Sequence, residues 1–119
     1  MKNRVYVAHA VNYPNFKETL YGPLKTIKNI KLIFPYENEG EMESSKEVIK
    51  NCDFLVADVS FQKLGIGIEI GYASAFNVPI IFIYKQGSNL SRSLGLVSNN
   101  FVEYDKVEDV LGKLKILFN

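Results

Sequence analysis

The sequence predicts an α/β protein: one doubly wound, five-stranded parallel sheet with helices on both faces. Three observations predict it. Short apolar runs alternate with longer amphipathic ones along the chain, which is the rhythm of βα units. Two of those runs, residues 54–57 and 79–84, are apolar throughout, as strands buried on both faces of a parallel sheet are. The chain has 119 residues, 47% hydrophobic and 13% aromatic, which suits one domain able to bury a core. No repeat, linker or low-complexity segment divides it, so residues 1–119 read as a single unit of the Rossmann or flavodoxin-like kind.

Each element has its own local reason. Residues 5–8, Val-Tyr-Val-Ala, read as the first strand. A helix over 16–28 puts Leu20, Leu24 and Ile27 on one face, and Gly22-Pro23 should kink or split it, because proline has no N–H to donate. The second strand is 31–34. A helix over 44–51 opens Ser44-Ser45-Lys46-Glu47, a capping-box pattern. The third strand, 54–57, leads through a loop to a helix over 66–76, which Asn77 and Pro79 should stop. The fourth strand is 79–84. Residues 86–100 show no periodicity, and a loop of that length is often functional. A fifth strand at 101–103 precedes a helix over 107–118, where Val107, Val110, Leu111, Leu114, Leu117 and Phe118 recur at helical spacing.

Composition excludes several classes. A net charge of +1 gives no argument for a nucleic-acid polymer or an anionic membrane as partner. The single cysteine, Cys52, excludes an intrachain disulfide and a multi-cysteine metal site, and beside Phe54, Leu55 and Val56 it reads as a small buried hydrophobe. Met1-Lys2-Asn3-Arg4 leads into an apolar run too short for a secretion signal, and no run approaches the roughly 18–20 residues of a membrane helix. A cytoplasmic protein is expected.

Doubly wound sheets bind ligands at the carboxyl ends of their strands, near the point where strand order switches. That would gather residues 8–13, 58–67 and 85–93 around one crevice. Glu69 stands beside it, flanked only by apolar residues and glycine. A charge in that setting costs free energy unless it is paired or used. In a helix starting near Ile66 it would lie in the first turn, where the helix dipole favours a carboxylate; a helix-start contact alone is the plainer reading. Gly65, Gly67 and Gly71 resemble a dinucleotide fingerprint only loosely, since Ser60–Leu64 intervene after the strand and Lys85, not an acid, follows the next one. Those glycines also suit a helix that starts close to a ligand. Asp58 ends the third strand where a receiver domain carries its phosphoacceptor, but no acidic pair follows the first strand, which reads Ala8-His9-Ala10-Val11-Asn12. Asp58 alternatively forms an Asx turn. His9, the one histidine, is either a crevice ligand or structural. Tyr6 is either a site residue or core with a satisfied hydroxyl. Ser88, Ser91 and Ser93 with Arg92 could cradle a phosphate.

Asp53-Phe-Leu-Val-Ala-Asp-Val-Ser, then Gly65-Ile-Gly-Ile-Glu-Ile-Gly-Tyr-Ala-Ser-Ala, then Val78-Pro-Ile-Ile resemble the nucleoside 2-deoxyribosyltransferase superfamily. Spacing and size look nearest its 2'-deoxynucleoside 5'-monophosphate N-glycosidase branch. The match spans about Cys52 to Tyr104. The resemblance implies cleavage of an N-glycosidic bond by a glutamate nucleophile, Glu69, through a covalent glycosyl-enzyme, with water or a second base finishing the reaction. It implies that Tyr6 positions nucleophile and sugar, that Ser93 holds the 5' end, that no cofactor or metal is needed, and that a homodimer shares its active site. His9, Asn12, Asp58, Lys63, Gly65, Gly67, Ser91 and Arg92 complete the expected substrate contacts. Five positions depart from the pattern. His9-Ala10 replaces Gly-Ser or Gly-Pro, Asn12 stands where the branch has arginine, Lys63 replaces a serine, and Ser45 falls where relatives carry the acid that helps the base leave. Glu43 or Glu47 could stand in for that acid, and Lys63, Lys85 and Arg92 for lost phosphate contacts. The departures keep two alternatives open: a nucleotide-binding module without catalysis, and, by a looser likeness to Toll/interleukin-receptor-like domains, an NAD glycohydrolase.

Overall fold

All five apolar runs become strands, and all five pair in parallel. The structure is a computed structural model that describes residues 3–36 and 45–119. Its strands are β1 (Asn3–Ala8), β2 (Ile30–Ile33), β3 (Phe54–Asp58), β4 (Ile80–Lys85) and β5 (Phe101–Tyr104), in the order β2-β1-β3-β4-β5. This is the doubly wound α/β arrangement expected. β1 pairs with both β2 and β3, as Tyr6 opposite Ile33 on one side and opposite Leu55 on the other show. The winding reverses between β1 and β3, so the switch point lies at their carboxyl ends.

Side chains alternate across the sheet and feed two cores. Val5 and Val7 of β1 join Leu20, Leu24, Val110 and Leu114 on one face. Tyr6 and Ala8 join Ile49, Leu55, Ile66 and Ile70 on the other. Burying each aliphatic side chain of this size contributes about 1.5–3 kcal/mol, and slipping one strand by a single residue would send all its side chains to the wrong core.

The helices differ in detail from expectation, for identifiable reasons. The predicted helix over 16–28 is a π-helical segment, Lys17–Tyr21, running into a single α-turn, α1 (Gly22–Leu24). The Gly22 N–H reaches back five residues to Lys17 O just where Pro23 can donate nothing. α2 (Ser45–Lys50) begins at the first residue described after position 36; the capping box expected at Ser44, and Glu43 with it, lies outside the described residues. α3 spans Leu64–Ala75, two residues earlier than expected. It ends as Asn77 and Pro79 predicted. Asn77 takes φ 57°, and the Val78 N–H bonds Ala73 O at 2.9 Å and the Asn77 N–H bonds Ser74 O at 3.2 Å, a Schellman closure. The last helix is a 3-10 turn, Val107–Val110, continued by α4 (Leu111–Leu117). The Asp109 carboxylate starts it by accepting from the Asp105 and Lys106 N–H groups. Inside the aperiodic stretch a 3-10 segment forms at Arg92–Leu96. No helix among the described residues is long and apolar enough to cross a membrane.

Candidate active site

α3 presents Ile66, Glu69, Ile70 and Ala73 to the sheet, so the one carboxylate of the helix is carried inward with its apolar neighbours. Because α3 starts at Leu64, Glu69 sits in the second turn and not the first, and the first turn holds no acidic residue. The helix dipole, which acts mainly within the first turn, is therefore not what steadies it. Tyr6 does. Its hydroxyl donates a short hydrogen bond to Glu69 Oε2. Tyr6 is 3% exposed and Glu69 8%. Burial raises the Glu69 carboxyl above its ordinary range, against the pull of the Tyr6 hydrogen bond. Burial, then the Glu69 charge, push the Tyr6 phenol far upward, so the hydroxyl keeps its proton and stays a donor. The pair lies where β1 meets the helix following β3, at the switch point. A carboxylate with one oxygen fixed and little water around it is suited to act as base or nucleophile.

Asp58 and His9 follow Val56 and Val7 onto the opposite face. Asp58 is fully buried. Its Oδ1 accepts the Ser60 N–H at 3.0 Å, the Asx turn anticipated above, and its Oδ2 accepts the Tyr104 hydroxyl at 2.5 Å. The Tyr104 hydroxyl also meets that of Tyr13 at 2.7 Å, and Ser60 Oγ accepts the Lys85 N–H at 2.8 Å. One polar network thus ties the carboxyl ends of β3, β4 and β5 to the loop after β1. Burial raises the Asp58 carboxyl, with the surrounding donors opposing, and lifts the Tyr13 phenol to about 12. His9 is enclosed by Tyr13, Phe16, Tyr21 and Tyr36, with its ring nitrogens 2.8 Å from Ala10 O and 2.5 Å from the Tyr21 hydroxyl. Burial lowers its pKa, so it is neutral at pH 7.

A groove of about 340 Å³ runs along the other flank of α3. Ile66, Gly67, Ile70 and Gly71 form one wall, Leu94 and Val97 the other, and Lys63, Ser91 and Ser93 its polar rim. A Cβ on Gly67 or Gly71 would meet nothing within 4 Å. Neither Glu69 nor Tyr6 lines this groove. The carboxylate that burial perturbs lies outside its lining. Asn12, Gly65 and Arg92 are exposed, after β1, in the first turn of α3 and at the start of the 3-10 segment respectively. Among the described residues, the expected site residues fall into three groups: the Tyr6–Glu69 pair, the Asp58 network, and the groove lining with Lys63, Gly67, Ser91 and Ser93. Ser45 opens α2 half-buried, and Glu47 is exposed.

Sequence reasoning missed three tyrosines. Tyr13 and Tyr104 complete the Asp58 network. Tyr36 stands just beyond β2, and both burial and the Glu69 charge raise its phenol. Tyr104 ends β5, Tyr36 follows β2 by three residues and Tyr13 follows β1 by five, so strand periodicity gave no signal for the contacts they make.

Fold and site define a flavodoxin-like α/β protein with a buried tyrosine–glutamate pair at its switch point. No known family profile matches the chain. A protein of Syntrophotalea carbinolica that carries the name 2'-deoxynucleoside 5'-phosphate N-hydrolase 1 is 36% identical over 70 residues, 56% of this chain and 49% of that protein, so the chain spans about half the length of this curated relative. The solved CMP N-glycosidase of Clostridium botulinum superposes with a TM-score of 0.66 at 27% identity, covering 95% of this chain and 98% of that one. A conserved protein of Enterococcus faecalis superposes at 0.69 with 18% identity, covering 98% and 99%, and shows the fold alone. The resemblance to the nucleoside 2-deoxyribosyltransferase superfamily, on the side of its nucleotide N-glycosidases, is borne out by the first two.

Proposed function

We propose that this protein is an N-glycosidase that cleaves the bond between base and sugar in a 2'-deoxynucleoside or its 5'-monophosphate, with Glu69 as nucleophile. The observation that carries the reading is the buried Tyr6–Glu69 hydrogen bond at the switch point. Names borne by a relative and a structural neighbour, a deoxynucleoside-phosphate N-hydrolase and a CMP N-glycosidase, support the reaction class. Tyr6 holds Oε2 and leaves Oε1 to attack the anomeric carbon. A C–O ester bond forms as the C–N bond breaks; its electron pair goes to the base nitrogen, which takes a proton from water. Water or a second base then displaces Glu69, regenerating the carboxylate.

Ser93 lines the groove away from Glu69, so to hold the 5' end of a substrate it would have to come from a second copy of the chain. Leu64, Ile68 and Leu96, 83%, 48% and 86% exposed, give the same region an apolar surface fit for that contact. A cytoplasmic homodimer with shared sites is the form proposed. One observation favours a second reading, a nucleotide-binding module without turnover: Ser45, not an acid, opens α2.

The test is free-base release. The protein and a Glu69→Gln variant are incubated with deoxynucleosides, their 5'-monophosphates, ribonucleotides and NAD, and the bases separated by chromatography. Release by the parent and not the variant is expected from the deoxy compounds. Nucleotide binding without release from any substrate would favour the second reading.

A further inference from the structure

We propose that Tyr36 is the wall against which the nucleobase stacks at the Glu69 centre. The inference rests on the functional reading above and assigns the base-binding side of that site. Tyr36 follows β2 by three residues, and Ile33 of β2 lies opposite Tyr6 in the sheet. The ring is thereby carried past the carboxyl end of β2, next to β1.

Its setting is that of a rigid platform. On one side Tyr36 meets the His9 imidazole edge-on at 5.2 Å and Phe16 at 5.8 Å. Behind these, His9 packs on Tyr21 at 5.2 Å, and Tyr21 stacks on Phe34 at 4.0 Å. The inner rings His9 and Tyr21 are 1% exposed, while Tyr36 is 38% exposed. Tyr36 is the outermost member of a packed aromatic column, braced from within and open outward. The Glu69 charge acts on its hydroxyl, and that hydroxyl in turn acts on Tyr6, which places the phenol within the electrostatic surroundings of the pair.

The glycosidic bond fixes what must lie next to the attacked carbon. The base is attached directly to it and departs on the face of the sugar away from the attacking Glu69, so a flat, aromatic group at this edge of the sheet, open on one face, is suited to receive the base. Every base has a π-face, so such a wall tolerates different bases and selects against ligands without one. His9, neutral and enclosed, shapes this wall from behind instead of touching the substrate.

The probe is 2-aminopurine deoxyriboside, whose emission is quenched on stacking, titrated into the protein in a Glu69→Gln background that blocks turnover. Tyr36→Phe should bind within about twofold of the background. Tyr36→Leu should bind about 10-fold or more weakly and lose the quench, while 2-deoxyribose 5-phosphate, which has no base, binds both alike. Circular dichroism checks that each variant is folded. Equal binding and quenching in a folded Tyr36→Leu variant would overturn the proposal, as would failure of the background protein to bind the probe. Tyr36-dependent binding by a parent that releases no base would sustain this wall and refute the N-glycosidase reading. Base release with a KM indifferent to Tyr36→Leu would do the reverse.

Discussion

Asp58 offers the sharpest stability prediction. Replacing it with alanine removes the acceptor of two buried donors, the Ser60 N–H at 3.0 Å and the Tyr104 hydroxyl at 2.5 Å. A buried donor left without its partner costs about 1–3 kcal/mol, so Asp58→Ala should cost about 2–6 kcal/mol. Proteins of this size have about 5–15 kcal/mol in all, so the variant should sit close to unfolding, with a Tm lowered by about 10 °C or more. Tyr104→Phe keeps the ring and loses one hydrogen bond, for about 1–2 kcal/mol. The two losses should not add, because both remove the same contact; a coupling of about 1 kcal/mol or more is expected. Urea titrations followed by circular dichroism, read at constant m-value, give all three numbers. A cost below about 1 kcal/mol for Asp58→Ala, or strict additivity with Tyr104→Phe, would refute the network as described.

Three further outcomes follow from the same geometry. Glu69→Gln should stabilise the fold at neutral pH. Burial raises the Glu69 carboxyl above 4.5, so the native parent is most favoured while that group is protonated and loses this advantage as pH climbs through the raised value; the margin of the glutamine variant should therefore widen from pH 4.5 upward and then level off, and a margin flat with pH would contradict it. Tyr6→Phe removes a hydrogen bond to a charged group, for about 1.5–3 kcal/mol or about 10- to 150-fold in base release; it should also move the acid limb of the pH–rate profile upward, since the bond it removes holds the Glu69 carboxyl down, and an unmoved limb would count against Tyr6 as the positioning group. Asn77→Ala should cost about 1–2 kcal/mol, because the residue sits at φ 57°, whereas Asn77→Gly should cost nothing by thermal melt.

The sheet was legible because its signals are local. Five apolar runs of strand length, separated by helical spacing, specify a parallel α/β arrangement whatever the side chains do in detail. Strand order and the two cores follow from the same alternation. The Tyr6–Glu69 pair was legible in part: an acid among apolar neighbours announces itself, and the tyrosine came with the resemblance. The helix start was misplaced because Leu64 and Gly65 carry no cap signal, and Lys63 caps the helix without a side-chain bond. That shift of two residues moved Glu69 out of the dipole's reach. The Asp58 network was not legible, since it joins residues 46 and 91 positions apart, and periodicity reports only which face a residue occupies. Nor was the separation of Ser93 from Glu69. Ser93 lines the groove along α3 and Glu69 does not, and that depends on the path of the chain through Arg92–Leu96.

The most direct test of Glu69 as nucleophile is to stop the reaction during turnover with acid and weigh the peptides. The account predicts a deoxyribosyl adduct on the peptide that carries Glu69, present with substrate, absent without it, and absent in a Glu69→Gln variant that also releases no base. Steady base release by the parent with no adduct, matched by release at the same rate from the glutamine variant, would contradict it.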